Sequence, residues 1–292
     1  DQICADKIDI LFDMSGHTTG NSLPLFVKKP APIQISWAGY VGTTGISTMD
    51  YVMADRHHVP EGEDEFYTEN IIRMPNSYVS YTAPDYTPEV TELPFKKKGF
   101  ITFGSFNNVI KTNSEVLKLW AEVLRAVPNS HLFIKYRGID DPINRTRIES
   151  VMQDNGISPG RLRLEGSSPH AELLASYGEI DIALDTFPYS GGLTSCEALW
   201  MGVPVVTLYG NTFAGRHSSS HLRNIGLSEF VASDVAGYVD LAVQATSNIN
   251  TMTTLRKNLR PMMAASPLCN HQLFALNFET AMTDAWRQFC LR

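Results

Sequence analysis

The sequence predicts an α/β protein made of doubly wound, Rossmann-like units. Short apolar runs alternate with segments of helical period, which is the pattern of parallel strands covered on both faces by crossover helices. Strand-like runs recur on both sides of a stretch from Tyr81 to Lys98 that is rich in Pro, Thr and charge and reads as a linker, and the helical segments follow it. The chain has 292 residues and 43% hydrophobic content, long for one core and comfortable for two.

The elements follow in order. Ile8–Asp13 is an apolar run that stops at Ser15-Gly16-His17, so it reads as a buried strand ending in a loop. Pro30–Trp37 reads as a strand running into a loop with Gly39, Gly42 and Gly45, and strands follow at Asp50–Asp55 and Asn70–Pro75. Phe100–Phe106 opens the second series. Val116, Leu117, Leu119, Trp120, Val123 and Leu124 are spaced for a helix over 114–126. Strands are expected at 130–135, 161–165, 180–185 and 203–208, and helices at 142–155, 169–177, 194–201 and 271–289. The predicted divisions are a first domain over 1–95, a second over 96–270, and a final helix over 271–292 packing back towards the first. The first domain shows three or four strands where a doubly wound unit usually has about five or six. With Asp1 at the start, this predicts a truncated domain cut from a longer polypeptide.

The net charge of −7 argues against a broad nucleic-acid surface and leaves room for a local basic site. Cys4, Cys196, Cys269 and Cys290 are scattered, with neither zinc-ligand nor disulfide-framework spacing, which points to a reducing, cytoplasmic compartment. No apolar run of about 18 residues and no signal peptide appear, so no membrane span is expected. Asp140-Asp141 sits in a turn before Pro142, and His57-His58 lacks ligand partners at metal spacing, so no metal site is expected. Neither a dinucleotide G-x-G-x-x-G, a phosphate-loop G-x-x-x-x-G-K-[ST], nor a G-x-S-x-G elbow is present, and no cofactor is expected.

The strongest local signal runs from Asp185 through Thr186-Phe187-Pro188-Tyr189-Ser190-Gly191-Gly192-Leu193-Thr194 to Glu197. A strand ends, two glycines follow, and a helix begins, so main-chain amides and the positive end of the helix dipole are free to hold an anion. Thr194 can donate its hydroxyl to a phosphate. Glu197, one turn on, can accept ribose hydroxyls; equally, Thr194-x-x-Glu197 is a capping box that needs no ligand. Lys111, shortly after the strand at Phe103, can neutralise a diphosphate leaving group, or be a surface charge. His17, after the first strand, can take a proton from an acceptor hydroxyl, with Asp13 to orient it, or simply satisfy loop backbone.

Several ordered motifs resemble one family. Ser15-Gly16-His17-Thr18-Thr19-Gly20, Pro30-Ala31-Pro32-Ile33-Gln34, Trp37-Ala38-Gly39-Tyr40, Gly42-Thr43-Thr44-Gly45 and Asp50-Tyr51 are similar to the catalytic region of the O-linked N-acetylglucosamine transferases and SPINDLY-type enzymes of glycosyltransferase family 41. Phe103-Gly104-Ser105-Phe106-Asn107, Lys111, Asp185–Tyr189, Gly191-Gly192, Leu199–Thr207, Arg216 and Ser266-Pro267-Leu268 continue the likeness in order. The resemblance implies the GT-B architecture, two Rossmann-like domains facing a cleft with the donor held mainly by the second. It implies metal-independent, inverting transfer of a sugar, commonly GlcNAc from UDP-GlcNAc, to Ser or Thr of a protein acceptor; SPINDLY-type relatives can use GDP-fucose. Carried over, Lys111 meets the diphosphate, Thr194 the phosphate and Glu197 the ribose. Asn108 falls where relatives have a glutamine near the donor, and His17 matches a histidine favoured as base. His170 stands where the animal enzymes carry a lysine near the nucleotide, and Leu173 where they carry a base-contacting histidine. Gly192 and Leu193 replace a histidine and a threonine beside the phosphate. These departures bear on donor identity rather than on where the donor sits. Upstream tetratricopeptide repeats are implied for the full-length protein. Two other functions compete: a degenerate nucleotide-sugar-binding module without transfer, and a nucleotide-sugar epimerase, for which no convincing acid/base pair is placed.

Overall fold

The computed structural model describes residues 2–291. Contacts divide the chain into one unit of residues 1–80, 212–214 and 267–292, and another of residues 81–211 and 215–266.

The first unit carries the short helix α1 (Gln2–Ala5), strand β1 (Ile10–Asp13), helix α2 (Leu23–Phe26), and strands β2 (Ile33–Ser36), β3 (Tyr51–Asp55) and β4 (Asn70–Met74). The four strands are all parallel, in the order β1-β2-β3-β4. β2 and β3 are buried at every position, as central parallel strands must be. Ile33, Ile35, Tyr51 and Met53 form the core with Phe274, Phe278, Met282 and Trp286 from the chain's last helix, whose range is given below. Phe213 joins the same core, with its ring 4.5 Å from that of His58 and 5.2 Å from that of Tyr78.

The second unit contains α3 (Phe95–Lys98), β5 (Thr102–Ser105), α4 (Ser114–Ala126), β6 (His131–Lys135), α5 (Pro142–Asp154), β7 (Leu162–Glu165), α6 (His170–Ser176), β8 (Ile182–Leu184), α7 (Leu193–Trp200), β9 (Val205–Leu208), α8 (His217–Asn224), β10 (Val231–Ala232), α9 (Val235–Thr246) and α10 (Ile249–Ala264). Helix α11 (His271–Cys290) closes the chain and belongs to the first unit. All six strands are parallel, in the order β10-β9-β8-β5-β6-β7. Numbered within the unit this is 3-2-1-4-5-6 read from β7, the doubly wound order, and it reverses direction between β5 and β8. The fold is therefore α/β, with two parallel-sheet, Rossmann-like domains.

Helix α4 buries all six of the apolar positions that predicted it, Trp120 completely. Asn113 caps it, accepting from the Val116 amide at 2.9 Å. Asp141 caps α5 through the Ile143 amide at 2.9 Å, which gives that acidic pair a structural role. Helices α8, α9 and α10 and strand β10 have no counterpart among the sequence expectations.

The contact division also differs from the one read in sequence. The stretch 81–94 belongs to the second unit, because two arginines of α10 hold it there. Arg256, 2% exposed, donates to the carbonyl oxygens of Thr91 at 2.8 Å and Ile180 at 2.9 Å, and Arg260 to that of Pro88 at 2.6 Å. No described helix is long and apolar enough to cross a membrane.

Candidate donor site at the strand-order reversal

In an open parallel sheet, the loops beyond the carboxyl ends of the two strands that flank the reversal diverge and leave a crevice. Here those strands are β5 and β8. The loop after β5 carries Asn107, Asn108 and Lys111; the loop after β8 runs from Asp185 to Gly192 and enters α7.

Asp185 organises the second loop. It is 2% exposed, and its carboxylate accepts from the Gly191 amide at 2.7 Å and the Thr207 hydroxyl at 2.7 Å. Burial raises its pKa, an effect that the Ser218 and Thr207 hydroxyls, the Gly191 amide and the Lys111 charge oppose. Gly191 is the tight point of the turn: a Cβ there would stand 2.3 Å from Ser195 Oγ and 3.0 Å from Thr194 Oγ1. Gly192 caps α7 with φ −100° and ψ −94°, and a Cβ there would meet nothing within 4 Å.

The amides of Gly192, Leu193 and Thr194 meet no acceptor among the described residues, while the Ser195 and Cys196 amides bond back to the Gly192 carbonyl at 3.1 and 3.3 Å. These unpartnered donors at the start of an eight-residue helix are the groups an anion needs. Leu193 is 63% exposed, so the approach to them is open.

Lys111 faces the same loop. Asn108 accepts from the Ile110 amide at 3.1 Å and so caps the 3₁₀ turn Val109–Lys111 that presents the lysine. Lys111 Nζ donates to the Ser190 carbonyl at 2.8 Å and lies 3.8 Å from the centre of the Tyr189 ring. Burial lowers its pKa from 10.5 to about 8, against the pull of Asp185. The lysine therefore stands one residue from the glycine turn rather than in bulk solvent.

Two expectations change. Thr194 does not offer its hydroxyl proton outward; it donates to Asn107 Oδ1 at 2.8 Å, because the turn at Gly191 brings the two side chains together. What Thr194 offers an anion is its main-chain amide. The capping box is not formed either: Gly192 is the cap, and Glu197 pairs elsewhere. Glu197, 3% exposed, accepts from His170 Nε2 at 2.8 Å, and His170 Nδ1 lies 2.8 Å from the Tyr86 hydroxyl. Burial raises the Glu197 pKa, and the hydrogen bond from His170 opposes this. The loops thus gather Lys111, Gly191, Gly192, Leu193 and Thr194; His170 and Glu197 form a second polar pair one turn along α7; and Asn108 supports Lys111 from behind.

Sequence reasoning passed over Asn107, Ser190 and Tyr86 as site residues. Asn107 carried a signal, an amide just past the end of a strand. Tyr86, 84 residues before His170 in what reads as linker, carried none.

His17 belongs to the first unit and is exposed. Asp13 does not orient it: its oxygens accept from the Gly16 amide at 2.8 Å and the Ser15 amide at 3.3 Å, closing the turn after β1. The partner of His17 is the Thr44 carbonyl, 2.8 Å from Nε2. Gly16, at φ +49°, has to lack a Cβ, which would fall 2.1 Å from the Tyr40 side chain. Among the described residues, no group of three His, Cys, Asp or Glu side chains is placed to hold a metal ion.

The model of glycosyl transferase family 41 matches residues 1–82 and 87–278. A Petunia hybrida protein named as a probable UDP-N-acetylglucosamine–peptide N-acetylglucosaminyltransferase SPINDLY is 38% identical over 286 residues, which are 98% of this chain and 31% of that protein. The chain thus spans about a third of the length of such curated relatives. The solved structure of a Thermobaculum terrenum O-GlcNAc transferase mutant superposes with a TM-score of 0.93 at 38% identity, covering 99% of this chain and 55% of that one. The Anabaena protein HepE, solved with UDP and glucose, shares the fold alone, with a TM-score of 0.55 at 12% identity over 97% of this chain and 80% of that one. The two Rossmann-like domains are of the GT-B class, and the chain belongs to glycosyltransferase family 41.

Proposed function

We propose that the chain is the catalytic region of a protein O-glycosyltransferase that moves GlcNAc from UDP-GlcNAc to Ser or Thr hydroxyls, with inversion and without a metal ion. The observation that carries the reading is the pairing of unpartnered amides at Gly192, Leu193 and Thr194 with the Lys111 ammonium held beside Ser190. An inverting transfer leaves a nucleoside diphosphate whose negative charge grows as the glycosidic bond breaks. Donors fixed in advance towards that charge stabilise the transition state without reorganisation. Lys111 and the helix start supply the positive potential that a divalent cation supplies elsewhere. Glu197 has one oxygen on His170 and offers the other to the ribose. His17 takes the proton of the acceptor hydroxyl. The SPINDLY-type relatives, named as probable UDP-N-acetylglucosamine–peptide N-acetylglucosaminyltransferases, support this donor and acceptor, and the similar Thermobaculum O-GlcNAc transferase supports the sugar. A cytoplasmic setting, tetratricopeptide repeats upstream, and no nucleic-acid or membrane partner complete the reading.

The test is incubation with UDP-GlcNAc and Ser/Thr peptides in the presence of EDTA, followed by mass spectrometry and by NMR of the new anomeric centre. A peptide gaining one N-acetylhexosamine with β configuration supports the proposal. No transfer from UDP- or GDP-sugars, or transfer abolished by chelation, contradicts it.

A further inference from the structure

One buried carboxylate plays no part in the donor site. Glu69 directly precedes β4 in the first unit and is 4% exposed. A carboxylate taken out of water is costly unless hydrogen bonds replace its hydration. Its replacements all come from one short stretch of the glycine-rich loop after β2. Oε1 accepts from the Thr44 amide at 2.7 Å and from the Thr44 hydroxyl, and Oε2 from the Thr43 hydroxyl at 2.7 Å. This loop holds Gly42 and, at φ +69°, Gly45, so its backbone has little stiffness of its own. Glu69 pins it at Thr43-Thr44.

The pinned residue in turn holds His17. The Thr44 carbonyl lies 2.8 Å from His17 Nε2, and the Tyr40 ring meets the imidazole edge-on at 5.2 Å between centres. A carbonyl oxygen only accepts, so Nε2 carries the proton. In the neutral imidazole the lone pair is then on Nδ1.

We infer that Glu69 is a positioning residue for His17. Through the Thr44 carbonyl it fixes the ring so that Nδ1 presents its lone pair to the acceptor hydroxyl. This rests on the transferase reading above. In the step it serves, Nδ1 receives the hydroxyl proton as the acceptor oxygen bonds to the anomeric carbon. The bond from that carbon to the phosphate oxygen breaks, and the nucleoside diphosphate leaves with the electron pair.

Two measurements test it. The first is kinetic. Glu69→Ala should lower kcat at least about tenfold and leave the KM for UDP-GlcNAc within about twofold, because the donor groups lie in the other unit. Glu69→Gln, which keeps an acceptor for Thr44, should recover kcat to within about threefold of the parent. In a His17→Ala background, Glu69→Ala should cost less than about twofold more. Unchanged kcat in Glu69→Ala, or a loss that multiplies in the His17→Ala background, overturns the inference. The second measurement needs no activity. With ¹⁵N-histidine labelling, His17 should show an Nε2–H proton protected from exchange, identified by its loss in His17→Ala and equally lost in Glu69→Ala. No such proton in the parent protein, or its survival in Glu69→Ala, overturns the inference even if the kinetic variants are unstable. The predicted NMR pattern in a protein that transfers nothing supports the placement of His17 and contradicts the transferase reading.

Discussion

Lys111 is the residue on which the proposed donor site turns. Its pKa of about 8 sets a pH dependence. As pH rises through about 8 the ammonium is lost, so UDP affinity should fall, by up to about tenfold per pH unit beyond that point if one proton is involved. Titration calorimetry across pH 7–10 checks this, and the slope should vanish in Lys111→Ala. The sign for folding is opposite. The unfolded lysine binds a proton more tightly than the folded one, so the free protein gains stability from this group between pH 8 and its ordinary 10.5. In transfer assays Lys111→Ala should lower kcat by about 10²–10³, as loss of one leaving-group donor typically does. Lys111 and the two glycines were legible in sequence because a strand, a glycine turn and a helix start name their own chemistry. The partner of the Thr194 hydroxyl was not legible: only the folded turn shows Asn107 within 2.8 Å of it. A capping box and a ribose ligand look the same in sequence; the His170–Glu197 pair shows only that the box is not formed.

At the scale of elements, the turn into α7 is the most constrained. Gly191→Ala should displace Ser195 and Thr194, destabilise the second unit by ~1–3 kcal/mol, and weaken UDP binding more than stability, measured by denaturant unfolding beside calorimetry. Trp120→Ala should cost ~3–5 kcal/mol through the cavity it leaves, with the Lys111 geometry unchanged in the fraction that stays folded. Helix α4 was readable almost to the residue because its apolar spacing and its cap at Asn113 agree. Helices α9 and α10 were not read. Gly237 lies inside the first, and the second holds Pro261 and a run of Asn and Thr, which hides helices stabilised mainly by tertiary burial of Tyr238, Met252, Leu259 and Met263.

For the whole molecule, alternating strands and helices were enough to predict a parallel sheet in the second unit, and the family resemblance implied the second such domain, but neither gave the strand order. The order matters most, since the reversal between β5 and β8 is what brings residues 107–111 and 185–194 together. The contact division departs from the predicted boundary for a similar reason. A Pro- and Thr-rich stretch looks like a free linker until Arg256 and Arg260 are seen holding it. Arg256→Ala should open the segment 81–94 to limited proteolysis and cost at least ~2 kcal/mol, because the carbonyl of Thr91 and the buried carbonyls of Tyr177 and Ile180 lose a charged donor. The central claim is that main-chain amides at the start of α7 and the Lys111 ammonium clasp the donor's diphosphate. Calorimetric titration with UDP, side by side with uridine and with the Lys111→Ala variant, tests it most directly. The account predicts that UDP binds and stabilises the protein, by ~2.7 kcal/mol at a hundredfold excess over Kd, and that uridine and the variant each lose at least about tenfold in affinity. Equal affinity of the parent and Lys111→Ala for UDP, or of the parent for UDP and uridine, would contradict it.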